Sequence, residues 1–479
     1  MALKLDMSKA YDRVEWPFLE CVMKKLGFNE RWITLMMLCV SSVSYSILIN
    51  GAPHGFIKPT RGIRQGDPLS PFLFLLCTEG LHGLLTQSTV RGDIHGFSLS
   101  RRSHPLTHLL FADDSLLFCR SNPEECQKIL EILQVYELSS GQQINKAKTT
   151  IFFSRSTSKE RRMMIKNTLG VEEVRSYEKY LGLPPLVGKN KKASFNYIKE
   201  RVWRKLQGWE EQLLSQAGKE ILIKTVVQAI PTYTMHCFKL PIGLCNELEG
   251  LIRRFWWGQR GDRRKIHWVR WEELCKPKSE GGMGFKNLAL FNDALLANQA
   301  WRLFQNKHSL LYRVFKPKFF PSCSFMEAPK SQACSYAWRS ILKGREVLKE
   351  GMRWRVGDGS SIRIWSDPWL PSTFMPFVSL PVVPGWEEAK VASLLSYSNQ
   401  GWRHDTLNLL FIPRDVELIQ SIPLCGKPVD DALVWPYTPT GSYSVKSGYR
   451  FLYKARCLDS GEYHPDDNKL WKKVWGMQV

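Results

Sequence analysis

Two apolar runs rich in leucine and phenylalanine flank a pair of aspartates, Asp113 and Asp114, in the segment 109–118. Short apolar runs on either side of turn-forming residues predict two buried strands joined by a tight turn, with both acids at the turn. Because aspartate is a common turn residue, the pair alone slightly favours a plain hairpin. A second apolar strand, at 2–7, carries a single acid, Asp6, and shifts the balance towards a shared site.

Three acids from distant parts of the chain predict a metal site. Two adjacent carboxylates repel each other, and burying their charges costs free energy unless a cation or hydrogen-bond donors offset them. Mg²⁺ takes oxygen ligands and keeps positions open for phosphates. A strand that ends in an acid beside an acidic hairpin is the arrangement that two-metal phosphoryl transfer requires.

The remaining pattern of residues 1–155 alternates helices with short strands. Proline near its start and glycine at its end predict a helix over 16–27, a second helix covers 30–40, and Asn50-Gly51 is a hairpin signal after a β-rich run. A long apolar helix runs to about Leu85, and a capped helix runs from Pro123 to Gly141 before a returning strand. This order predicts an α+β fold, with helices on one face of a small antiparallel sheet.

Glycines and hydrogen-bond donors stand together in the run 61–66, just before the long apolar helix. Gly62 and Gly66 permit close approach of the backbone, while Arg64 and Gln65 offer donors beside a helix N-terminus, where an anion or a base can dock. A simple loop before a buried helix explains the same stretch equally well.

Length and charge limit the classes of protein to which the chain can belong. A chain of 479 residues is long enough for two to four domains, and 67 Lys and Arg against 45 Asp and Glu give a net charge of +22. That excess predicts a polyanionic partner, with nucleic acid first and a membrane surface second.

No apolar run approaches the ~18–20 residues of a spanning helix, and charges near the N-terminus interrupt any secretory signal, so an intracellular protein without membrane contact is expected. The 12 cysteines lack the spacing of a disulfide framework or a zinc site.

The pattern beyond residue 155 predicts a basic helical region. Residues 155–224 hold 16 Lys and Arg against 8 acids, and apolar positions at helical spacing run from Phe195 to Trp209. Such a helix either follows a duplex backbone or packs on its own core with a solvated basic face. In the two runs 253–258 and 263–271, arginines and tryptophans suit phosphate contact and base stacking, but the density of tryptophans favours a core with a basic rim. Hairpins are predicted over 353–365, around a Gly-Asp-Gly turn, and over 433–445.

Four motifs in order resemble the palm motifs of reverse transcriptases, most closely those of plant LINE-type (non-LTR) retrotransposons. They lie at 5–14, 61–71, 111–114 and 141–149, and Lys179-Tyr180-Leu181-Gly182 resembles the primer grip that follows them. The resemblance implies a right-hand polymerase palm over 1–185. It further implies a basic helical thumb with connecting helices over 186–310 and a mixed α/β region over 311–479.

The resemblance also implies roles for individual residues. Asp6 and Asp113 would be the principal ligands of Mg²⁺ or Mn²⁺, with Asp114 as a third acid. The ring of Tyr11 would pack under the incoming sugar and exclude a 2′-hydroxyl.

Two further motifs supply substrate contacts. Arg64, Gln65 and Gly66 lie in the element that contacts the incoming nucleotide and the template. Lys148 matches a lysine that protonates the pyrophosphate leaving group, although a solvated lysine at a strand end is an equally simple explanation.

The implied function is RNA-directed DNA polymerisation, in which a dNTP is joined to the 3′-hydroxyl of a DNA primer on an RNA template. The expected location is the nucleus or a cytoplasmic ribonucleoprotein particle. The alternative is a catalytically dead remnant that only binds nucleic acid, and a metal-dependent nuclease comes third. In the family a fingers region precedes the first acid, which here is residue 6, and the segment 469–479 resembles the start of a Cys/His module that such proteins carry. A copy truncated at both ends is therefore expected. Such a chain is expected to bind nucleic acid and not to extend a primer.

Overall fold

The computed structural model describes residues 1–100, 103, 105–174, 179–185, 187–210, 214–258, 265–330, 334–372, 375–396, 401–424 and 429–459. The predicted start of a Cys/His module at 469–479 lies outside these residues. The chain divides into two compact units. The first contains residues 1–185 and 313–321, and the second contains residues 186–312 and the chain from 322 onward.

The first unit mixes helices and short strands, as the sequence pattern predicts. Its elements in chain order are β1 (Ala2–Leu5), α1 (Trp16–Lys25), α2 (Glu30–Ser41), β2 (Tyr45–Ile49), β3 (Ala52–Ile57), α3 (Ser70–Arg91), β4 (His108–Phe111), β5 (Asp114–Phe118), α4 (Pro123–Ser140), β6 (Thr150–Phe152), α5 (Lys159–Leu169) and β7 (Glu172–Glu173). Local signals explain several boundaries. The Asn122 side chain accepts a hydrogen bond from the Glu125 amide at the start of α4, and Gly141 ends that helix with a φ of 74°.

A five-stranded sheet in the order β4-β5-β1-β6-β7 organises the first unit. The strand β1 lies between β5 and β6 and is antiparallel to both, while β7 pairs with β6 in parallel. The strand formed by residues 2–5 is therefore central, although its neighbours in the sheet come more than a hundred residues later in the chain.

One face of this sheet packs on helices. Leu3 and Leu5 of β1, with Leu117 and Ile151 from its neighbours, are at most 2% exposed and share a core with α3, α4 and α5. Full burial of an aliphatic side chain stabilises a fold by about 1.5–3 kcal/mol, so this face accounts for much of the unit's stability. The observed sheet is mixed, because β7 is parallel, whereas the sequence predicts a purely antiparallel one.

Two histidines join α3 to β4 at the edge of the sheet. The Nδ1 of His82 lies 2.7 Å from the Nε2 of His108, and the hydroxyl of Thr107 lies 2.9 Å from the Nδ1 of His108. Burial, and next the charge of His82, lower the pKa of His108 from 6.5 to about 4. His108 is therefore neutral in the folded protein at neutral pH.

The hairpin formed by β2 and β3 is exposed along both strands. Its turn is Asn50-Gly51, with φ angles of 52° and 83°, which is the left-handed pair that the sequence signal predicts. Leu48 and Phe56 on its strands are 71% and 75% exposed. The ribbon therefore extends from the unit with no core of its own.

The second unit is mainly helical. Within the described residues, the α-helices and strands that follow β7 are α6 (Lys191–Glu210), α7 (Gln216–Leu222), α8 (Thr232–Cys237), α9 (Ile242–Trp256), α10 (Trp271–Cys275), α11 (Leu288–Gln305), α12 (Leu310–Phe319), α13 (Tyr336–Gly351), β8 (Arg353–Arg355), β9 (Leu395–Ser396), β10 (Gly401–Trp402), α14 (His404–Leu410), α15 (Pro413–Gln420), β11 (Ala432–Val434) and α16 (Val445–Asp459). The helix α12 spans the boundary between the two units. Four of the apolar positions predicted on α6 are buried, since Phe195, Ile198, Val202 and Leu206 are at most 3% exposed, whereas the fifth, Trp209, is half-buried.

Both hairpins predicted near the C-terminal end are wrong. The strand β8 pairs with β11, about eighty residues away, and residue 445 begins α16. The amides of Gly357, Gly359 and Ser361 donate to the carboxylate of Asp431 at 2.7, 3.0 and 2.8 Å. The Gly-Asp-Gly segment therefore wraps around a distant carboxylate instead of closing a local turn.

Within the part of the chain that the structure describes, none of the helices is both long enough and apolar enough to cross a bilayer.

Candidate active site

The ends of β1 and of the β4–β5 hairpin meet at one edge of the sheet. Leu5 of β1 pairs with Ser115 of β5, so the next residue, Asp6, comes opposite Asp114. In the hairpin, Phe111 pairs with Asp114, which leaves Ala112 and Asp113 as the two turn residues. The hairpin is therefore as predicted, except that only Asp113 lies in the turn, because Asp114 is the first residue of β5.

The turn carries an uncommon backbone conformation. Ala112 has a φ of 49°, in the left-handed region that costs a non-glycine residue free energy. The side chain of Asp113 next to it is exposed, whereas Asp114 is half-buried. The strained residue, Ala112, therefore comes directly before Asp113, which is more exposed than Asp6 and Asp114.

Lys4 of β1 forms an ion pair with Asp114 of the neighbouring strand β5. Its Nζ lies 3.4 Å from the Oδ1 of Asp114, with both side chains partly exposed. This cation offsets part of the charge of the three acids. Lys4 was not singled out from the sequence, although a single lysine inside an apolar strand was a signal that could have identified it.

The segment 141–149 holds Asp6 through the backbone. The amide of Asp6 donates to the hydroxyl of Thr149 at 3.2 Å, and its carbonyl accepts from the amide of Asn145 at 2.8 Å. Met7 and Ile144 form an antiparallel bridge. The first and fourth motifs of the sequence are therefore hydrogen-bonded to each other, 143 residues apart.

Two residues of the fourth motif also fix the loop after Asp6. Gln142 is 1% exposed, and its Nε2 donates to the carbonyl of Ala10 at 2.6 Å. Gly141 has a φ of 74°, and a Cβ there would lie 2.4 Å from the carbonyl oxygen of Arg13. Sequence reasoning gave Gln142 no separate role, because its importance depends on a contact made across the fold.

Tyr11 lies near the acidic turn. Its ring stacks on Phe74 of α3, with centroids 4.9 Å apart and planes 12° from parallel. Burial raises the pKa of the Tyr11 hydroxyl, and the negative charge of Asp113 raises it further. The predicted sugar-contacting residue is thus near one of the predicted metal ligands.

The motif at 61–71 packs against the segment that follows Asp6. The amides of Gly62 and Ile63 donate to the carbonyls of Val14 and Tyr11 at 2.8 and 2.9 Å, and the Trp16 indole donates to the carbonyl of Gly62 at 2.8 Å. The predicted substrate-contacting residues of this motif are all exposed: Arg64, Gln65 and Gly66. They therefore remain accessible while their neighbours hold the motif in place.

The remaining predicted elements are also present as local structure. Lys148 is exposed, and its amide donates to the carbonyl of Asn145 at 3.1 Å. In the segment that resembles a primer grip, Tyr180 and Leu183 exchange two backbone hydrogen bonds around Leu181 and Gly182, whose φ angles are 48° and 74°. This is a tight hairpin turn.

The donor chemistry of this edge fits a hard cation, since Asp6 and Asp113 offer carboxylate oxygens. Within the described residues, however, no three Asp, Glu, His or Cys side chains form a group able to hold a metal ion. Asp114 is engaged by Lys4. The shared role of Asp6, Asp113 and Asp114 as metal ligands therefore stays a prediction.

Comparisons with known proteins agree with the motifs. The reverse transcriptase (RNA-dependent DNA polymerase) family matches residues 1–195. An uncharacterized mitochondrial protein of Arabidopsis thaliana is 44% identical over 143 residues, which are 30% of this chain and 93% of that protein. A retrovirus-related Pol polyprotein from the type-1 retrotransposable element R2 of Popillia japonica is 29% identical over 115 residues, 24% of this chain and 18% of the polyprotein.

Among solved structures, telomerase from Candida albicans in complex with a fragment of telomeric RNA has a TM-score of 0.29 and 16% identity. That comparison covers 53% of this chain and 43% of the telomerase chain. The chain spans less than a fifth of the R2 polyprotein. The family match and the four motifs, hydrogen-bonded around one sheet edge, confirm the resemblance over the first part of the chain: residues 1–195 match the reverse transcriptase (RNA-dependent DNA polymerase) family, and the relatives agree with a plant LINE-type (non-LTR) retrotransposon element.

Proposed function

We propose that the first unit is a polymerase palm, that the basic helical region after it is a thumb, and that together they extend a DNA primer with dNTPs on an RNA template. The observation that carries this proposal is the register of β1. The pairing of Leu5 with Ser115 brings the end of β1, and with it Asp6, beside the turn that contains Asp113.

The proposed reaction is attack of the primer 3′-oxygen on the α-phosphorus of a dNTP, with pyrophosphate as the leaving group. Bound Mg²⁺ or Mn²⁺ would stabilise the charge that develops on the transferring phosphoryl group. Asp6 and Asp113 would hold the ions, since polymerase sites bind Mg²⁺ through one or two carboxylates and substrate phosphates. Asp114, whose charge is partly offset by Lys4, would add negative charge beside the bound ions.

Other residues would orient the substrates. The Tyr11 ring, supported by Phe74, would lie under the deoxyribose. Arg64, Gln65 and Gly66 would contact the nucleotide and the template. The ammonium of Lys148 would give its proton to the departing pyrophosphate, which gains negative charge as the bond to the α-phosphorus breaks.

The test is primer extension on an RNA template with Mg²⁺ and dNTPs, by the chain alone and joined to the fingers segment of a related element. In the version joined to the fingers segment, Asp113→Asn is expected to lower extension by about a hundredfold or more, because one charge is lost at the metal site, while RNA affinity stays within about twofold. The matched control is Glu160→Gln, which removes one exposed acid from the first turn of α5.

Extension by Asp113→Asn close to that of the unsubstituted protein would exclude the metal assignment. RNA binding without extension in every version would favour the alternative, a remnant that binds nucleic acid without chemistry.

A further inference from the structure

An uncharged, apolar stretch of the first unit lies open to solvent. Residues 32–57 contain no Asp, Glu, Lys or Arg, although these residues make up 23% of the chain. Nine large apolar side chains of the stretch are at least 36% exposed: Trp32, Leu35, Leu38, Tyr45, Ile47, Leu48, Ile49, Phe56 and Ile57. A surface without cations has no electrostatic attraction for a polyanion, so this one suits a polypeptide and not a nucleic acid.

The two edges of the β2–β3 ribbon differ. Within the described residues, β2 and β3 pair only with each other, so each strand has an outer edge. On β3, Pro53 has no amide hydrogen, Gly55 has a φ of 73°, and the register shift between Tyr45 and Ile47 places an extra residue on this strand. Proline and bulges protect the edge of a sheet from further pairing. The outer edge of β3 is therefore protected, whereas that of the regular strand β2 is open.

The register of the ribbon indicates which groups reach the open edge. Ile49 and Ala52 flank the two-residue turn and pair with each other. Residues in this position exchange hydrogen bonds, and the direction of the backbone groups alternates along a strand. The amides and carbonyls of Leu48 and Ser46 therefore point away from β3, where a neighbouring strand can bind them.

We propose that two copies of this chain pair through the outer edges of β2, antiparallel about a two-fold axis at Ile47. Ser46 of one copy exchanges hydrogen bonds with Leu48 of the other. Ile47 lies opposite Ile47 of the other copy, and Tyr45 lies opposite Ile49, and such aromatic and β-branched pairs across strands are favourable. The four-stranded sheet that results ends at the two protected edges of β3, so association stops at the dimer.

Charge favours a second copy at this edge. Two chains of net charge +22 repel each other wherever their basic surfaces meet. Because the ribbon carries no charged side chain, two copies can touch there without bringing like charges together, and the same patch serves both, as an isologous interface requires. Two paired strands of five residues form a small interface, so we expect a dissociation constant of about 1–100 µM. The pairing is independent of the polymerase assignment.

The test is sedimentation velocity of the full chain over a range of protein concentrations. Ile47→Lys and Ile47→Glu each place two like charges opposite each other at the two-fold axis, so each variant alone is expected to dimerise about tenfold or more weakly. An equimolar mixture of the two variants brings opposite charges together and is expected to associate at least about fivefold more tightly than either alone. Ile47 is 59% exposed, so these substitutions remove little buried area.

The matched controls are Leu138→Lys and Leu138→Glu, which place the same charges on α4, at a side chain that is 88% exposed. Both are expected to dimerise like the unsubstituted protein. Salt is a second readout. KCl screens the repulsion between two basic chains, so the dimer is expected to strengthen as KCl rises from about 50 to about 500 mM.

Several results would overturn the proposal. These are a monomer at every concentration, equal losses in the Leu138 variants, or no recovery in the mixture of Ile47 variants. Dissociation by added salt would also do so, because it would indicate a nucleic acid that bridges two copies. So would a dimer that is lost in the version joined to the fingers segment of a related element, because the same polypeptide would then cover the ribbon.

Discussion

The ring of Tyr11 lies between an aromatic support and an acid, and this position determines what its loss should do. Phe74 stacks beneath the ring at 4.9 Å, and the charge of Asp113 raises the pKa of its hydroxyl. The hydroxyl therefore stays protonated well above neutral pH. Substitutions of Tyr11 should act through the shape of the ring and not through its charge.

Tyr11→Ala is expected to raise incorporation of rNTPs relative to dNTPs by about tenfold or more, because the space against which a 2′-hydroxyl clashes is opened. Tyr11→Phe keeps the ring and serves as the control, with selectivity close to that of the unsubstituted protein. The measurement is the ratio of kcat/KM for the two nucleotide classes. Unchanged selectivity in Tyr11→Ala would show that the ring contacts something other than the sugar.

Single residues also show where sequence reasoning stops. Asp6, Asp113 and Tyr11 could be identified because their motifs are local runs of sequence. The partners of Lys4 and Gln142 could not be identified, because the Lys4 contact depends on the register of β1 against β5 and the Gln142 contact joins segments 132 residues apart. Register is set by the whole sheet and is not written in any short stretch.

At the level of secondary structure, the helix boundaries with local signals were the most predictable. The Asn122 cap, Pro123 and Gly141 define α4 through contacts within a few residues. The prediction of a hairpin at the Gly-Asp-Gly segment was wrong for the opposite reason. Its amides find their acceptor on Asp431, more than seventy residues later, and a distant carboxylate overrides the turn chemistry of the segment.

Gly141 links the end of α4 to the first motif, so its substitution should affect both. Gly141→Ala is expected to destabilise the first unit by about 2 kcal/mol or more, through a positive φ and a Cβ 2.4 Å from the Arg13 carbonyl. Gly83→Ala is the matched control, because Gly83 lies inside α3 with nothing within 4 Å of an added Cβ, and it should be neutral or stabilising by about 0.5–1 kcal/mol. Urea unfolding of both variants measures the difference. If Gly141→Ala lowers the free energy of unfolding no more than Gly83→Ala does, the backbone at Gly141 is not strained by a side chain.

The contact between α3 and β4 should respond to pH. The pKa of His108 is lowered to about 4 in the folded protein, so the unfolded chain takes up a proton near pH 6.5 and the folded chain does not. Stability is therefore lost as the pH falls from about 6.5 to 4. Because His108 is only half-buried, we expect a modest effect, a fall in Tm of about 2–4 °C beyond that of His108→Gln between pH 7 and pH 5. Equal falls in Tm for the two proteins would remove His108 as the cause.

At the scale of the whole molecule, the proposed binding of nucleic acid is expected to depend mainly on charge. The net charge of +22 predicts that affinity for any RNA falls by about tenfold for every two phosphates contacted when KCl rises from about 50 to about 200 mM. Anisotropy titrations at several salt concentrations measure the slope, and a constant Tm over the same range is the control for unfolding. Binding that is insensitive to salt would show that phosphate neutralisation is not its source.

The position of β1 in the sheet has a consequence for protein synthesis. β1 is central in space, yet the hydrogen bond from the Asp6 amide reaches a partner 143 residues later in the chain. At about 5–20 residues per second, a ribosome needs about 7–30 s to make that interval. During most of this time both edges of an apolar strand lack their final neighbours, and the emerging chain should be a substrate for chaperones that bind nascent polypeptides.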